Sequence, residues 1–399
     1  MKKRELKKIF AGFLMASAVL AGCGGGEDKA EKPEEKKQEE PVKKEQKEVK
    51  VEDTDAAKQF ASFENIKAEL EKAKEGEKTD WSLIEKEYRE GLQKDVTEIS
   101  SDFDQAIQAS IEGGKSGEME SAIAAQLIDK TTQSYFYQSQ KTLQKAAAEA
   151  LSQGNKEDAE TAFIQVQHLA EKVFIPTAEK RDNYYELTGE NSVAENIQSG
   201  ITAQKEALES EKAEDFQVYM QVTDKSVYRS YYLAAKSYGE KIEAAVKEGG
   251  DKNELSIMQA EGWGFLQAIK ESLGGGDEAA ALELNKLFTL NETDPSTIKG
   301  EKVNELFNKA IAGKINGYYK KAPEALKGGE KLEAKVEAME GNMFLKALQM
   351  EMNEKLGEEK AEEALNGAER FYTSISDNKE KEAMEHGKKV TGTLAELTK

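Results

Sequence analysis

From residue 54 onward, apolar residues recur at three- and four-residue spacing, and this period constrains the fold more than any other feature of the chain. Trp81, Ile84, Tyr88, Leu92, Val96, Ile99, Phe103 and Ile107 follow one another at these steps, which places them along one face of a helix. The spacing predicts a helix from about Asp80 to Glu112, with Asp80 as its N-cap and Gly113-Gly114 as its stop. A second long helix is expected from about Ser116 to Gln153, ended by Gly154. Asn155 then caps another, carrying Ala159, Phe163, Val166 and Ala170, until Pro176 breaks it. Ala, Glu, Lys, Gln and Leu dominate this part, and only Pro176, Pro295 and Pro323 interrupt it. Alternating β-branched runs are missing. The expected fold class is all-α.

The chain also repeats itself. Asp129-Lys130, Tyr135-Phe136-Tyr137 and Gly154 return as Asp224-Lys225, Tyr231-Tyr232 and Gly249-Gly250, at an offset of 95 residues. A third, shorter copy carries Tyr318-Tyr319, Gly328-Gly329 and Phe344, the last lying 79 residues after Phe265. Glu261-Gly262 and Glu340-Gly341 share that offset of 79. A recurring long helix, glycine turn and second helix predicts duplicated helical hairpins that bury a shared core. Linked antiparallel bundles are expected, because the helices are longer than those of ordinary solenoids.

The N-terminus has a different character. Lys2, Lys3, Arg4, Lys7 and Lys8 precede an apolar run from Ile9 to Val19, which is shorter than the roughly 20 residues needed to span a bilayer. Leu20-Ala21-Gly22-Cys23 follows. This resembles the bacterial lipobox, which implies cleavage before Cys23, lipidation of its thiol with palmitate-like acyl chains, and an extracytoplasmic, membrane-anchored mature protein. Cys23 is the only cysteine, so no internal disulfide can form. The expected organisation is a signal peptide over 1–22 and a lipidated, disordered charged linker over 23–53. A first helical lobe over 54–208 and a second over 209–399, holding two hairpin copies, would follow.

With 57 basic and 77 acidic residues the chain carries a balance of −20. The leader holds five basic residues and one acid, so its removal takes the balance to −24. Such a surface repels nucleic acid. Catalytic constellations are scarce, since the chain has two histidines and no spare thiol. Gly113-Gly114-Lys115-Ser116 has half of a phosphate loop, but Ala109 stands where its first glycine would be. No enzymatic activity is expected.

Two candidate sites remain. His168 and Glu171 lie three residues apart on a predicted helix, where both can face one metal ion. The pair is similar to the His-x-x-Glu motif of imelysin-like proteins, although Val166 stands where that family has glycine. The resemblance implies an all-helical, duplicated, extracytoplasmic fold and a role in the uptake of iron or another metal. The second candidate is a pocket between hairpins, lined by Tyr135, Tyr228, Tyr231 and Tyr232, with Lys130, Lys225 and Arg229 as anchors for an anion. The leading expectation is a lipid-anchored, non-enzymatic binding or scaffolding module of the bacterial envelope. Its partner would be a protein or an envelope polymer.

Overall fold

The computed structural model describes residues 49–399; the leader, Cys23 and most of the charged linker lie outside the described residues. The described chain is helical throughout, with no strand among the described residues. Helix α1 (Asp55–Lys74) starts at Thr54, whose side chain accepts the Ala57 N–H. The apolar face foreseen over 80–112 is buried as expected: Ile84, Tyr88, Leu92, Val96, Phe103 and Ile107 all join the core.

It is not one helix, however. The segment divides into α2 (Trp81–Gly91), α3 (Gln93–Ile99) and α4 (Ser101–Ser116). Gly91 packs so closely on Ser62 that a Cβ there would lie 2.6 Å from the Ser62 Cβ, and Leu92 leaves the helical region at φ −133°. Ser100 is extended, and its hydroxyl accepts the Phe103 N–H, so it caps a new helix. Gly113-Gly114 does not stop α4, which runs to Ser116 and ends at Gly117 with φ +78°. Gly114 instead admits the Trp81 indole, which a Cβ would overlap.

Helix α5 (Ser121–Ser152) turns at Gly154, φ +74°, into α6 (Lys156–Leu169), with the Asn155 side chain accepting the Asp158 N–H. Pro176 does not break the chain either. A π-helical turn at Ala170–Phe174 widens the backbone, and Pro176 then occupies the first turn of α7 (Ile175–Tyr185), where its missing N–H costs nothing. Next come α8 (Val193–Glu209), the long α9 (Ala213–Glu248), α10 (Lys252–Gln267), the short α11 (Lys270–Gly274) and α12 (Glu278–Phe288). Pro295 opens a 3-10 turn, whereas Pro323 sits inside α13 (Gly300–Gly328). Helices α14 (Lys331–Ala347), α15 (Gln349–Leu356), α16 (Glu358–Ser376) and α17 (Glu380–Leu397) complete the fold.

The three repeats are hairpins: α5 with α6, α9 with α10, and α13 with α14. Their turns carry left-handed glycines at Gly154, Gly249 and Gly329. Each first helix also packs along the second helix of the next copy, α5 on α10 and α9 on α14. One contact is made twice in this way. The Lys130 ammonium lies over the Phe265 ring at 5.3 Å, and Lys225 lies over Phe344 at 5.4 Å. Helix α1 packs on α5 before the first hairpin, and α17 packs on α13 after the last. The result is a set of antiparallel helical bundles linked through shared helices.

Helix α9 is the axis. Every residue from 221 to 239 is buried, although that stretch includes Asp224, Lys225, Arg229 and Lys236. Helix α8 packs along α9 across position 208, and one hydrophobic core reaches from Ala56 to Leu397. Among the described residues no helix is long and apolar enough to cross a membrane.

Candidate binding cleft

A cleft of about 640 Å³ opens where the α3–α4 junction, the middle of α5, one face of α9 and the 267–272 segment meet. Its wall takes Tyr135, Tyr137 and Lys141 from α5, Lys225 and Tyr228 from α9, and Phe103 from α4. Asp95, Glu98 and Asp102 form an acidic rim at the α3–α4 junction. Lys141 and Lys145 on α5 and Lys270 at the start of α11 bring basic groups, with Glu271 next to Lys270.

Three of the seven residues proposed from sequence for an intercopy pocket meet here: Tyr135, Lys225 and Tyr228. The Tyr135 hydroxyl donates to Gln59 Oε1 at 2.8 Å, and the Gln59 amide donates to Asp95 at 2.7 Å, so the ring is held by the same chain of bonds that positions the acidic rim. Tyr137 donates to the Asp224 carboxylate at 2.8 Å and stacks on Tyr231 at 5.4 Å. The Tyr228 ring meets Phe344 edge-on at 4.8 Å. Its hydroxyl, beside Ser272, is buried without a hydrogen bond of good geometry. Such a group gains from any polar ligand atom that reaches it.

Lys225 works from behind the wall. It pairs with Asp224 on its own helix and with Glu340 of the third copy at 2.7 Å. Burial opposes its charge, but Asp224 and Glu340 outweigh burial and hold its pKa above the ordinary lysine value. Burial likewise pushes the Asp224 carboxyl up, and Lys225, Lys141 and the Tyr137 hydroxyl reverse that to leave it below the usual range. Asp224 and Lys225 are therefore both charged at neutral pH, and Lys225 is already engaged by two carboxylates rather than open to an anion.

The other four lie elsewhere. Lys130 pairs with Asp129 at 2.7 Å, and Asp129 also accepts from Lys74 at 2.9 Å. Tyr231 donates to the Gln133 carbonyl at 2.7 Å, tying α9 to α5. Tyr232 packs on Phe307 with ring centroids 5.1 Å apart, its hydroxyl buried and unbonded. Arg229 donates from Nη1 to the Asn191 carbonyl at 3.0 Å, while its Nε and Nη2 find no partner. Burial pushes the Arg229 pKa down to about 10. The repeated aromatic and charged positions thus serve first as joints between copies.

His168 and Glu171 gain no third ligand among the described residues. His168, half-buried in the last turn of α6, points its ring at Phe60 with centroids 5.7 Å apart, and burial followed by Lys172 lowers its pKa. Glu171 is exposed and belongs to the π-helical turn, where the i, i+3 alignment of a regular helix is lost. Among the described residues no three His, Cys, Asp or Glu side chains gather to hold a metal ion. Met339 and Met343 are buried core residues.

Sequence reading missed Phe103, Lys141, Lys270 and the acidic rim. The one local signal was Ser100-Ser101-Asp102, a capping sequence that marks a helix start inside the 80–112 run. Comparison with family models, with curated proteins and with solved structures finds no match for this chain. The functional reading therefore rests on the cleft and the sequence.

Proposed function

We propose that this chain is a lipid-anchored, non-enzymatic binding module of the bacterial envelope, and that the cleft between its first two hairpins holds a fragment of an envelope polymer. The observation that carries this reading is the cleft itself. Its volume of about 640 Å³ falls in the range of small-molecule sites, roughly 300–1,000 Å³. Its wall is lined by Tyr135, Tyr137 and Phe103, and both carboxylates, from Asp95, Glu98 and Asp102, and ammonium groups, from Lys141, Lys145 and Lys270, border it. A ligand with a sugar ring and both charges, such as an amino sugar bearing a short peptide, satisfies all three. Ring faces stack on sugars and methylene chains, and the charged groups pair the ends.

The test is calorimetric titration of the full-length chain with soluble peptidoglycan fragments. Saturable binding is expected, and Lys145→Glu together with Lys270→Glu should weaken it by about tenfold, because a repulsive pair replaces an attractive one. Neither side chain carries an ion pair in the fold, so stability should be little changed. Absent binding, or equal binding by the double variant, sinks the proposal.

Anchoring is tested separately at Cys23. Metabolic labelling with palmitate should mark the wild-type chain and leave Cys23→Ser unlabelled, with the variant moving from the membrane to the soluble fraction. Label retained by the variant counts against the anchor.

A further inference from the structure

A second charged site lies on α7, α9 and α10, and it shares no residue with the cleft. Arg181 is only 6% exposed, yet its Nε and Nη1 have no hydrogen-bond partner. Its guanidinium lies over the Phe265 ring at 5.6 Å, the ring that Lys130 also faces at 5.3 Å. Lys241, half-buried, lies over Tyr238 at 4.5 Å and over Tyr184 at 4.7 Å. Lys180 adjoins Arg181 on α7. The carboxylates nearby are engaged. Asp129 is taken by Lys74 and Lys130, Glu240 by Lys236 and the Tyr185 hydroxyl, and Glu261 by the Tyr238 hydroxyl. Lys180, Arg181 and Lys241 make no ion pair.

In a chain with 20 excess negative charges, Arg181 and Lys241 drawn against the stacked Phe265 and Tyr238 rings, with Lys180 next to Arg181, are not explained by solvation of the surface. Burial lowers the pKa of each, the neighbouring cations lower Lys180 and Lys241 further, and Asp129, Glu261 and Glu240 offset part of this. The buried Arg181 N–H groups are left unsatisfied, a cost that an entering anion removes. We infer that Lys180, Arg181 and Lys241 form an anion site that takes a phosphate group.

Phosphate suits the geometry better than a single carboxylate. It presents oxygens in several directions, and these can meet one guanidinium and two ammonium groups at once. Arg181 supplies the fixed, buried N–H groups, whereas Lys180 and Lys241 close from the outside. Tyr184, 43% exposed and in contact with Lys241, would meet the organic part of a phosphate ester at the surface. The aromatic residues alone account for the cation–π contacts, but they do not account for the open N–H groups on Arg181.

The experiment is a binding titration of the full-length chain with inorganic phosphate at constant ionic strength, read by calorimetry and by the shift in Tm. Saturable binding and a Tm that rises with phosphate but not with chloride are expected. Lys241→Gln, at a half-buried position with no hydrogen bond, should leave the Tm without phosphate near the wild-type value and weaken phosphate binding by about tenfold. Arg181→Met should abolish the phosphate response without lowering the basal Tm, because it removes a buried, unsatisfied cation. A response to phosphate no larger than to chloride overturns the inference, as does an equal response in both variants. Glycerophosphoglycerol, the water-soluble headgroup of an anionic lipid, distinguishes the source. If it binds as tightly as free phosphate, the site reads a phosphodiester of lipid or polymer; if only free phosphate binds, the site reads a soluble ion. Either result supports the site.

Discussion

Asp129→Asn is expected to destabilise the fold by about 3–5 kcal/mol, the cost of leaving buried charges without their counterion. Asp129 is 1% exposed and accepts from Lys130 at 2.7 Å, Lys74 at 2.9 Å and the Gln133 amide at 2.7 Å. The substitution keeps the shape and removes the charge that two lysines share. Urea denaturation of wild type and variant measures the difference, and a loss below about 1 kcal/mol would show that the joint is not held by this charge. The pH dependence has a definite sign. Burial raises the Asp129 pKa, but Lys130 and Lys74 outweigh it and hold the carboxyl below the ordinary value. A depressed carboxylate pKa contributes stability that is present above the unfolded value and lost as pH falls through the folded one. The gap between wild type and variant should therefore stay constant from neutral pH down to about pH 4 and close only in strongly acid solution. Adding Lys130→Met to the variant should recover part of the loss, because one orphaned charge goes with it.

Lys346→Met should act in the opposite direction. At pH 6 it is expected to raise stability by about 2–4 kcal/mol. Burial and the adjacent Arg229 push the Lys346 pKa down to about 7, and Glu190 offsets only part of this. A lysine whose folded pKa lies below its unfolded one costs stability fully at pH values beneath the folded pKa. That cost fades as pH rises toward the unfolded value. The stabilisation should thus be greatest below pH 7 and shrink steadily toward about pH 10.5. Thermal melts at three pH values are enough to decide it. A variant less stable than wild type at pH 6 would mean that the Lys346 contacts outweigh its desolvation.

The two substitutions touch the same question: how a mostly polar helix becomes the buried axis of a protein. The stretch 221–239 of α9 carries Asp224, Lys225, Arg229, Ser230 and Lys236 among its tyrosines and aliphatic residues. It is buried because each copy's first helix is covered by helices of its own and of the neighbouring copy. The charges are matched from far along the chain, Lys225 by Glu340 and Lys236 by Glu351. Arg229 is the exception, since its one hydrogen bond goes to the Asn191 carbonyl and its Nε and Nη2 stay unbonded.

Helical period and duplication were legible before any coordinates, because both are local. Apolar spacing depends on the 3.6-residue turn alone, and Gly154, Gly249 and Gly329 stand at the turn of each copy. Breaks inside a run were less legible. Leu92 and Ser100 divide the 80–112 helix through a close approach of Gly91 to Ser62 and a capping hydroxyl, and the apolar face continues across both. Pro176 reads as a stop in any sequence, yet the π-helical turn before it carries the chain onward.

The sequence by itself determined the all-α class, the three hairpins, their glycine turns and the recurring Asp-Lys and tyrosine positions. Only the tertiary structure decided what those recurring residues do. Lys130 and Lys225 are joints between copies rather than open anchors, because Asp129, Asp224 and Glu340 reach them first. Tyr135 and Tyr228 come to one cleft with Asp102 and Lys270, residues separated by as many as 168 positions in the chain. A helix period records which face is buried, but not which other face it is buried against. That choice belongs to the packing of the whole chain, and the sites belong to that choice.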